Sequence, residues 1–227
     1  MIDLRQYPAL LRRQPSALLL GAQLLGVVLY PLMEGHASGQ IVLAMFGLVM
    51  VGLALLVVRR SPTATWVAVV LAGAVVVLSA WNEVQPSRLL TFAIALAESA
   101  FYFYAAASLM AYMLHDDHAS RDELYAAAAT FTVLAWAFAH LFAACQAMAP
   151  HSFGAQFHPE QPRTWTELLF LSFSTLSGVG LGDIVPLRPM ARGLVMLGEF
   201  TGVMYLAQPS AAGAGACVLR QGWRGLA

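Results

Sequence analysis

The chain contains no lysine; all twelve of its basic residues are arginine. Charged residues of both signs make up 11% of the 227 positions, and the formal net charge is zero. Soluble domains carry roughly a quarter charged residues, so an ordinary water-exposed fold is excluded. With neither a basic patch nor an acidic tail, nucleic acid is excluded as a partner. The two cysteines, Cys145 and Cys217, are too far apart to frame a disulfide scaffold or a metal knuckle. What the chain has in quantity is apolar surface: 59% of residues are hydrophobic, and the mean hydropathy is +0.70. A disordered chain could not keep that much apolar surface solvated. The composition is that of an integral membrane protein, in contact with membrane lipid.

A helix needs about 20 apolar residues to cross the roughly 30 Å hydrocarbon core. Ser16–Met33, Gln40–Val58, Thr63–Trp81, Leu89–Leu114 and Leu124–Met148 reach or approach that length, and a sixth stretch runs from Pro189 to about Ala207. Arg5, Arg12 and Arg13 precede the first stretch as in a signal peptide. Pro31, Met33 and Glu34 stand where a small-residue cleavage site would be needed, so the first stretch reads as an uncleaved helix. With six spans and the N-terminus in the cytoplasm, Arg5, Arg12, Arg13, Arg59, Arg60, Arg121, Arg220 and Arg224 fall inside. Arg88, Arg163, Arg188 and Arg192 fall outside, which agrees with the positive-inside bias and puts both termini in the cytoplasm. The fourth span carries no arginine inside it, which excludes a voltage sensor, since each gating charge supplies only about 2.3 kcal/mol per 100 mV.

The informative segment lies between the fifth and sixth spans. Thr164-Trp165-Thr166-Glu167 has the pattern of a capping box and predicts a helix over Trp165–Ser177. Thirteen residues at 1.5 Å each reach about 20 Å, enough to enter the membrane and too little to cross it. Gly178-Val179-Gly180-Leu181-Gly182-Asp183-Ile184-Val185-Pro186 follows and cannot be helix. Glycines at alternate positions predict an extended backbone with unusual dihedrals. Non-helical backbone at membrane depth is tolerated only inside protein or along a watery path. A short helix dipping in, with a glycine-rich return to the outer side, is a re-entrant pore loop whose carbonyls replace a cation's hydration shell.

Ser174-Thr175-Leu176-Ser177-Gly178-Val179-Gly180-Leu181-Gly182-Asp183 resembles the potassium-channel signature Thr-Thr-Val-Gly-Tyr-Gly-Asp with the end of its pore helix. The last span, with Leu197-Gly198-Glu199-Phe200-Thr201-Gly202 and Tyr205-Leu206-Ala207, resembles the inner helix of prokaryotic potassium channels. The likeness covers Trp165–Ala207. It implies an ion-binding filter at Gly178, Val179, Gly180, Leu181 and Gly182, flanked by Thr175, Ser177 and Asp183. It also implies a homotetramer, since one loop supplies a quarter of a filter, with potassium as the permeant ion and a bacterial inner membrane as the location. Two positions depart from the family. Gly178 stands where the family has a threonine hydroxyl at the innermost ion site, and Leu181 stands where it has a bracing tyrosine. Among the aromatic residues Trp165, Phe170 and Phe173, Phe170 is placed to pack on Leu181.

Glu199 is an ionisable group inside a span. It either ties the inner helix to Ser172, Ser174 or Thr175, the favoured reading, or serves as a gating proton site. Gly198 and Gly202 form a Gly-x-x-x-Gly pair, read as a helix-packing face. Gly202 also lies 19 residues after Asp183, the spacing of a channel hinge glycine, so both readings stand. Glu98 is a further polar contact within a span, and His140 is a buried, hydrogen-bonded histidine. His115-Asp116-Asp117-His118 reads as a solvated turn, and His151 and His158 could carry proton or zinc sensitivity at the outer mouth.

The sequence therefore predicts an all-α membrane protein of six transmembrane helices, with a re-entrant pore helix and filter loop between spans five and six. Residues 1–121 form a four-span peripheral domain, 122–209 the pore domain and 210–227 a short cytoplasmic tail. The expected activity is passive cation conduction, without enzymatic chemistry, with no cofactor and no metal beyond permeant potassium. A weakly selective monovalent cation pore is the alternative. Further from it stand a transporter that binds at the glycine break and a non-conducting membrane assembly protein.

Overall fold

A computed structural model describes residues 15–33, 37–59, 61, 63–113 and 121–224. The turn at His115–His118 and the arginines at 5, 12, 13 and 60 lie outside the described residues. Five long helices come first: α1 (Pro15–Met33), α2 (Ala37–Val58), α3 (Thr65–Val84), α4 (Arg88–Met113) and α5 (Arg121–Met148). Strand β1 (Phe153–Ala155), the short helix α6 (Trp165–Ser177), strand β2 (Ile184–Pro186) and helix α7 (Pro189–Arg224) complete the order.

Among the described residues, four helical stretches are long and apolar enough to cross a membrane: Ser16–Met33, Thr65–Val84, Arg88–Met113 and Leu124–Met148. A shorter apolar stretch, Met45–Val58, lies in α2. The molecule is that of an all-α membrane protein. Its outer helix faces show the same character, because α3 exposes Val70, Val77 and Trp81 at helical spacing where a soluble helix would carry charge. Those side chains suit hydrocarbon.

Helix α5 is the central element. It packs against α1, α4, α6 and α7, and most of its apolar stretch is buried. Its sequence explains this, since Ala126, Ala129, Ala135, Ala137 and Ala139 are fully buried and let neighbouring backbones approach closely. Trp136, Phe138 and Phe142 fill the spaces between. Hydroxyls tie the helices together in the interior. Ser99 Oγ on α4 donates to Ala137 O at 3.0 Å, and Thr132 Oγ1 donates to Gln23 Oε1 of α1 at 2.5 Å. At one end of the α4–α5 pair, Arg88 caps the last carbonyls of α5, with Nη2 2.7 Å from Met148 O and Nε on Ala147 O.

Two features differ from the sequence expectation. The loop after α5 contains a two-stranded antiparallel ribbon, pairing Phe153 with Pro186, Gly154 with Val185 and Ala155 with Ile184. It continues through Leu187 N–H to Ser152 O at 2.8 Å and Gln156 N–H to Asp183 O at 3.3 Å. Helix α7 also runs past Pro209 to Arg224, where the sequence suggested an end near Ala207 and a separate tail from 210. A proline inside a helix removes one backbone hydrogen bond at a cost of about 3 kcal/mol. The alanines at 211, 212, 214 and 216, the best helix formers, follow it and favour continuation.

Candidate functional site

Helix α6 begins and ends where the sequence requires. Thr164, in an extended conformation, accepts from Glu167 N–H at 3.3 Å, and Glu167 Oε2 accepts from Thr164 N–H at 2.7 Å, closing the capping box. Glu167 is thereby a structural residue. The approach to the cap is pinned by Arg163, which is buried. Its guanidinium donates to the carbonyls of Phe157, His158 and Gln161 and to Glu167 Oε1, so the polar outer loop folds around one side chain. Gln146 of α5 brackets the Arg163 backbone, with Nε2 2.9 Å from its carbonyl and Oε1 2.8 Å from its N–H. By sequence Arg163 counts only among the outer arginines. Its signal was an Arg four residues before a Glu at a helix start, a spacing that brings the two side chains together.

Leu168, Leu169, Leu171 and Leu176 bury α6 against the core, and Ser172 Oγ donates to Ala135 O of α5 at 2.7 Å. Trp165 lies among Tyr30, Trp136 and His140, and Phe173 lies against Phe131. Phe170 instead stays 45% exposed on the single chain, and Leu181 is also exposed.

Gly178 ends the helix in the left-handed region at φ 69°, with its N–H on Thr175 O at 3.1 Å. Gly180 follows at φ 68°. Two of the three alternate glycines therefore adopt conformations that disfavour any side chain, and Gly182 lies outside the left-handed region. The run 177–183 is exposed in the isolated chain. Its hydroxyl contacts point backwards. Ser177 Oγ donates to Ser174 O at 3.2 Å, and Thr175 Oγ1 donates to Ser172 O at 3.0 Å. Ser174 Oγ donates to Leu181 O. Ser174 thus braces this limb through a hydroxyl bonded to the Leu181 carbonyl. In this conformation the Leu181 carbonyl is turned toward α6. Asp183 O is taken by Gln156 N–H of the ribbon.

Helix α7 covers α6 with a narrow stripe. Ala191, Val195, Gly198, Gly202 and Tyr205 are buried at spacings of three and four. A Cβ on Gly202 would lie 2.0 Å from Leu176 O, whereas one on Gly198 would lie 3.5 Å from Thr175 Oγ1. Gly202 is therefore the point of closest approach, which supports its packing role. Tyr205 OH fixes the far end by donating to Ala127 O at 2.5 Å. Glu199 is exposed, a step of about 100° around the helix from Gly198. The favoured tie to Ser172, Ser174 or Thr175 is not made: those hydroxyls donate to Ala135, Leu181 and Ser172 carbonyls.

Deeper in the molecule, His140 Nδ1 lies 2.8 Å from Glu98 Oε2 and its ring is stacked on Tyr102. The two residues that were read separately form one pair. His151 and His158 both adopt positive φ, at 60° and 50°. Among the described residues, no three His, Cys, Asp or Glu side chains gather as a metal site.

The Ser174–Leu181 contact gives a direct test. A neutral hydrogen bond contributes about 0.5–1.5 kcal/mol net. Ser174→Ala should therefore shift the balance toward a free Leu181 carbonyl by roughly 2- to 10-fold per subunit. Carbon-13 NMR of a labelled Leu181 carbonyl is expected to show that shift, and an unchanged signal would mean that the bond is not held in solution.

Residues 128–212 match the family model described as ion channel. The matched segment runs from α5 through α6, the glycine loop and β2 into α7, and ion channel is the class that it supports. No curated protein matches the chain, and no solved structure does.

Proposed function

We propose that the protein is a passive cation channel, conducting potassium, in which four chains surround an axis lined by Gly178–Gly182. One observation carries this reading: a capped helix of 13 residues delivers Gly178 and Gly180 in the left-handed conformation to an exposed, glycine-rich limb. A backbone of this kind can present successive carbonyls to one ion. One chain offers them from one side only. The exposed apolar surface beside the loop (Phe170, Val179, Leu181, Phe200 and Val203) supports neighbouring copies as its cover.

In this account α1 to α4 form the peripheral domain over 1–121. The pore domain spans 122–209, with α6 as a re-entrant pore helix between spans five and six. Both termini face the cytoplasm, and the membrane is a bacterial inner membrane. Thr175, Ser177 and Asp183 flank the filter. Conduction needs no cofactor in this reading, and its ligand is the permeant ion.

A second reading is favoured by Gly178 and Ser177. The first supplies no hydroxyl to the innermost site, and the hydroxyl of the second is engaged with Ser174 O. A weakly selective monovalent cation pore follows if that site stays loose.

The assembly is tested by native mass measurement in lipid nanodiscs, with ion flux followed on the same preparation. The expected species is a tetramer of the 24.4 kDa chain. A stable monomer or dimer that still conducts would contradict the arrangement.

A further inference from the structure

Helices α1 to α5 line a half-open cavity of about 540 Å³, with no residue of the glycine loop in its wall. Its volume falls within the range of small-molecule sites, about 300–1,000 Å³. Tyr30, Tyr102 and Trp136 line it with aromatic faces, Glu83 and Glu98 with carboxylates, and Val51 and Val76 with apolar wall. No arginine lines it. The nearby Arg88 is committed to the carbonyls of Ala147 and Met148. Glu83 has no ion-pair partner among the described residues. Glu98 meets His140 Nδ1 through Oε2 at 2.8 Å.

Negative charge beside aromatic rings is the environment that holds an organic cation, because the ring faces attract positive charge and the carboxylate neutralises it. We propose that this cavity binds a protonated amine with an apolar remainder. The ammonium is held by Glu98 beside the ring of Tyr30, and the apolar part lies along Val51 and Val76. The guest shares Glu98 with His140, whose ring centroid is 4.2 Å from that of Trp165, the first residue of the pore helix. The site is therefore connected to the pore through one side chain, while its occupancy does not depend on conduction.

The test uses the full chain in lipid nanodiscs and 2-amino-1-(4-fluorophenyl)ethanol, with binding read by fluorine NMR titration. The neutral analogue 1-(4-fluorophenyl)ethanol reports simple partition into lipid. The amine is expected to bind saturably and at least tenfold more tightly than the alcohol. Glu98→Gln should weaken it at least tenfold. Glu98→Gln also removes the partner of His140, so Val76→Trp provides an independent variant that fills the cavity from a half-exposed position on α3 and should abolish binding. Equal affinity for the amine and the alcohol would overturn the proposal, as would saturable binding that survives Val76→Trp, which would place the guest elsewhere, including the pore.

Discussion

Replacing Gly202 with alanine is expected to lower the thermal unfolding temperature of the solubilised protein by at least about 5 °C and to abolish conduction. The added methyl would sit 2.0 Å from the carbonyl oxygen and 2.6 Å from the carbonyl carbon of Leu176. These are backbone atoms at the end of α6, so no rotamer change relieves the overlap and the two helices must separate. Overpacking of this kind costs about 1–3 kcal/mol or more, which corresponds to a few degrees per kcal/mol for a chain of this size. Gly198→Ala is the control. Its methyl would meet Thr175 Oγ1 at 3.5 Å, ordinary contact, and alanine favours helix over glycine by roughly 1 kcal/mol. That variant should be neutral or slightly stabilised. A hinge role for Gly202 predicts the opposite pattern, an unchanged melting temperature with altered opening.

Gly178→Thr is expected to raise the K⁺/Na⁺ permeability ratio about tenfold and to lower stability at the same time. In the proposed tetramer four hydroxyls would join the innermost ion site, and a tenfold change needs only about 1.4 kcal/mol. Room exists, since nothing lies within 4 Å of a Cβ built at Gly178. The stability loss arises from the backbone. At φ 69° a β-branched residue is strained, and the left-handed conformation costs roughly 1–2 kcal/mol per residue. Bi-ionic reversal potentials on wild type and variant measure the first effect, and thermal unfolding the second. A ratio that stays level or falls in a variant that still conducts would remove the innermost site from the explanation of selectivity.

The parts of this molecule fixed by local chemistry were legible in the sequence. The capping box at Thr164 and Glu167 and the helix Trp165–Ser177 follow from hydrogen bonds within a few residues. The glycines after them follow from a dihedral requirement that only glycine meets freely. Features set by distant partners were less visible. Phe153-Gly154-Ala155 carries no strand alternation, and it pairs because Ile184–Pro186 returns beside it. Ser174 looked like a possible partner of Glu199, but the carbonyl it meets is supplied by the turned-back loop. The face of Glu199 could have been read: Ala191, Val195, Gly198, Gly202 and Tyr205 form a stripe of small or apolar residues at helical spacing, and Glu199 falls outside it. Glu98 and His140 lie on separate helices, and pairing them required knowing that α4 and α5 run side by side.

The most direct measurement is the current across bilayers containing only the purified protein, with potassium on one side and sodium on the other. The account predicts a passive current whose reversal potential shifts toward the potassium equilibrium value and disappears when Gly180, held at φ 68°, is replaced by valine. No cation current from a tetrameric preparation, or a current carried by anions and unaffected by Gly180→Val, would contradict it.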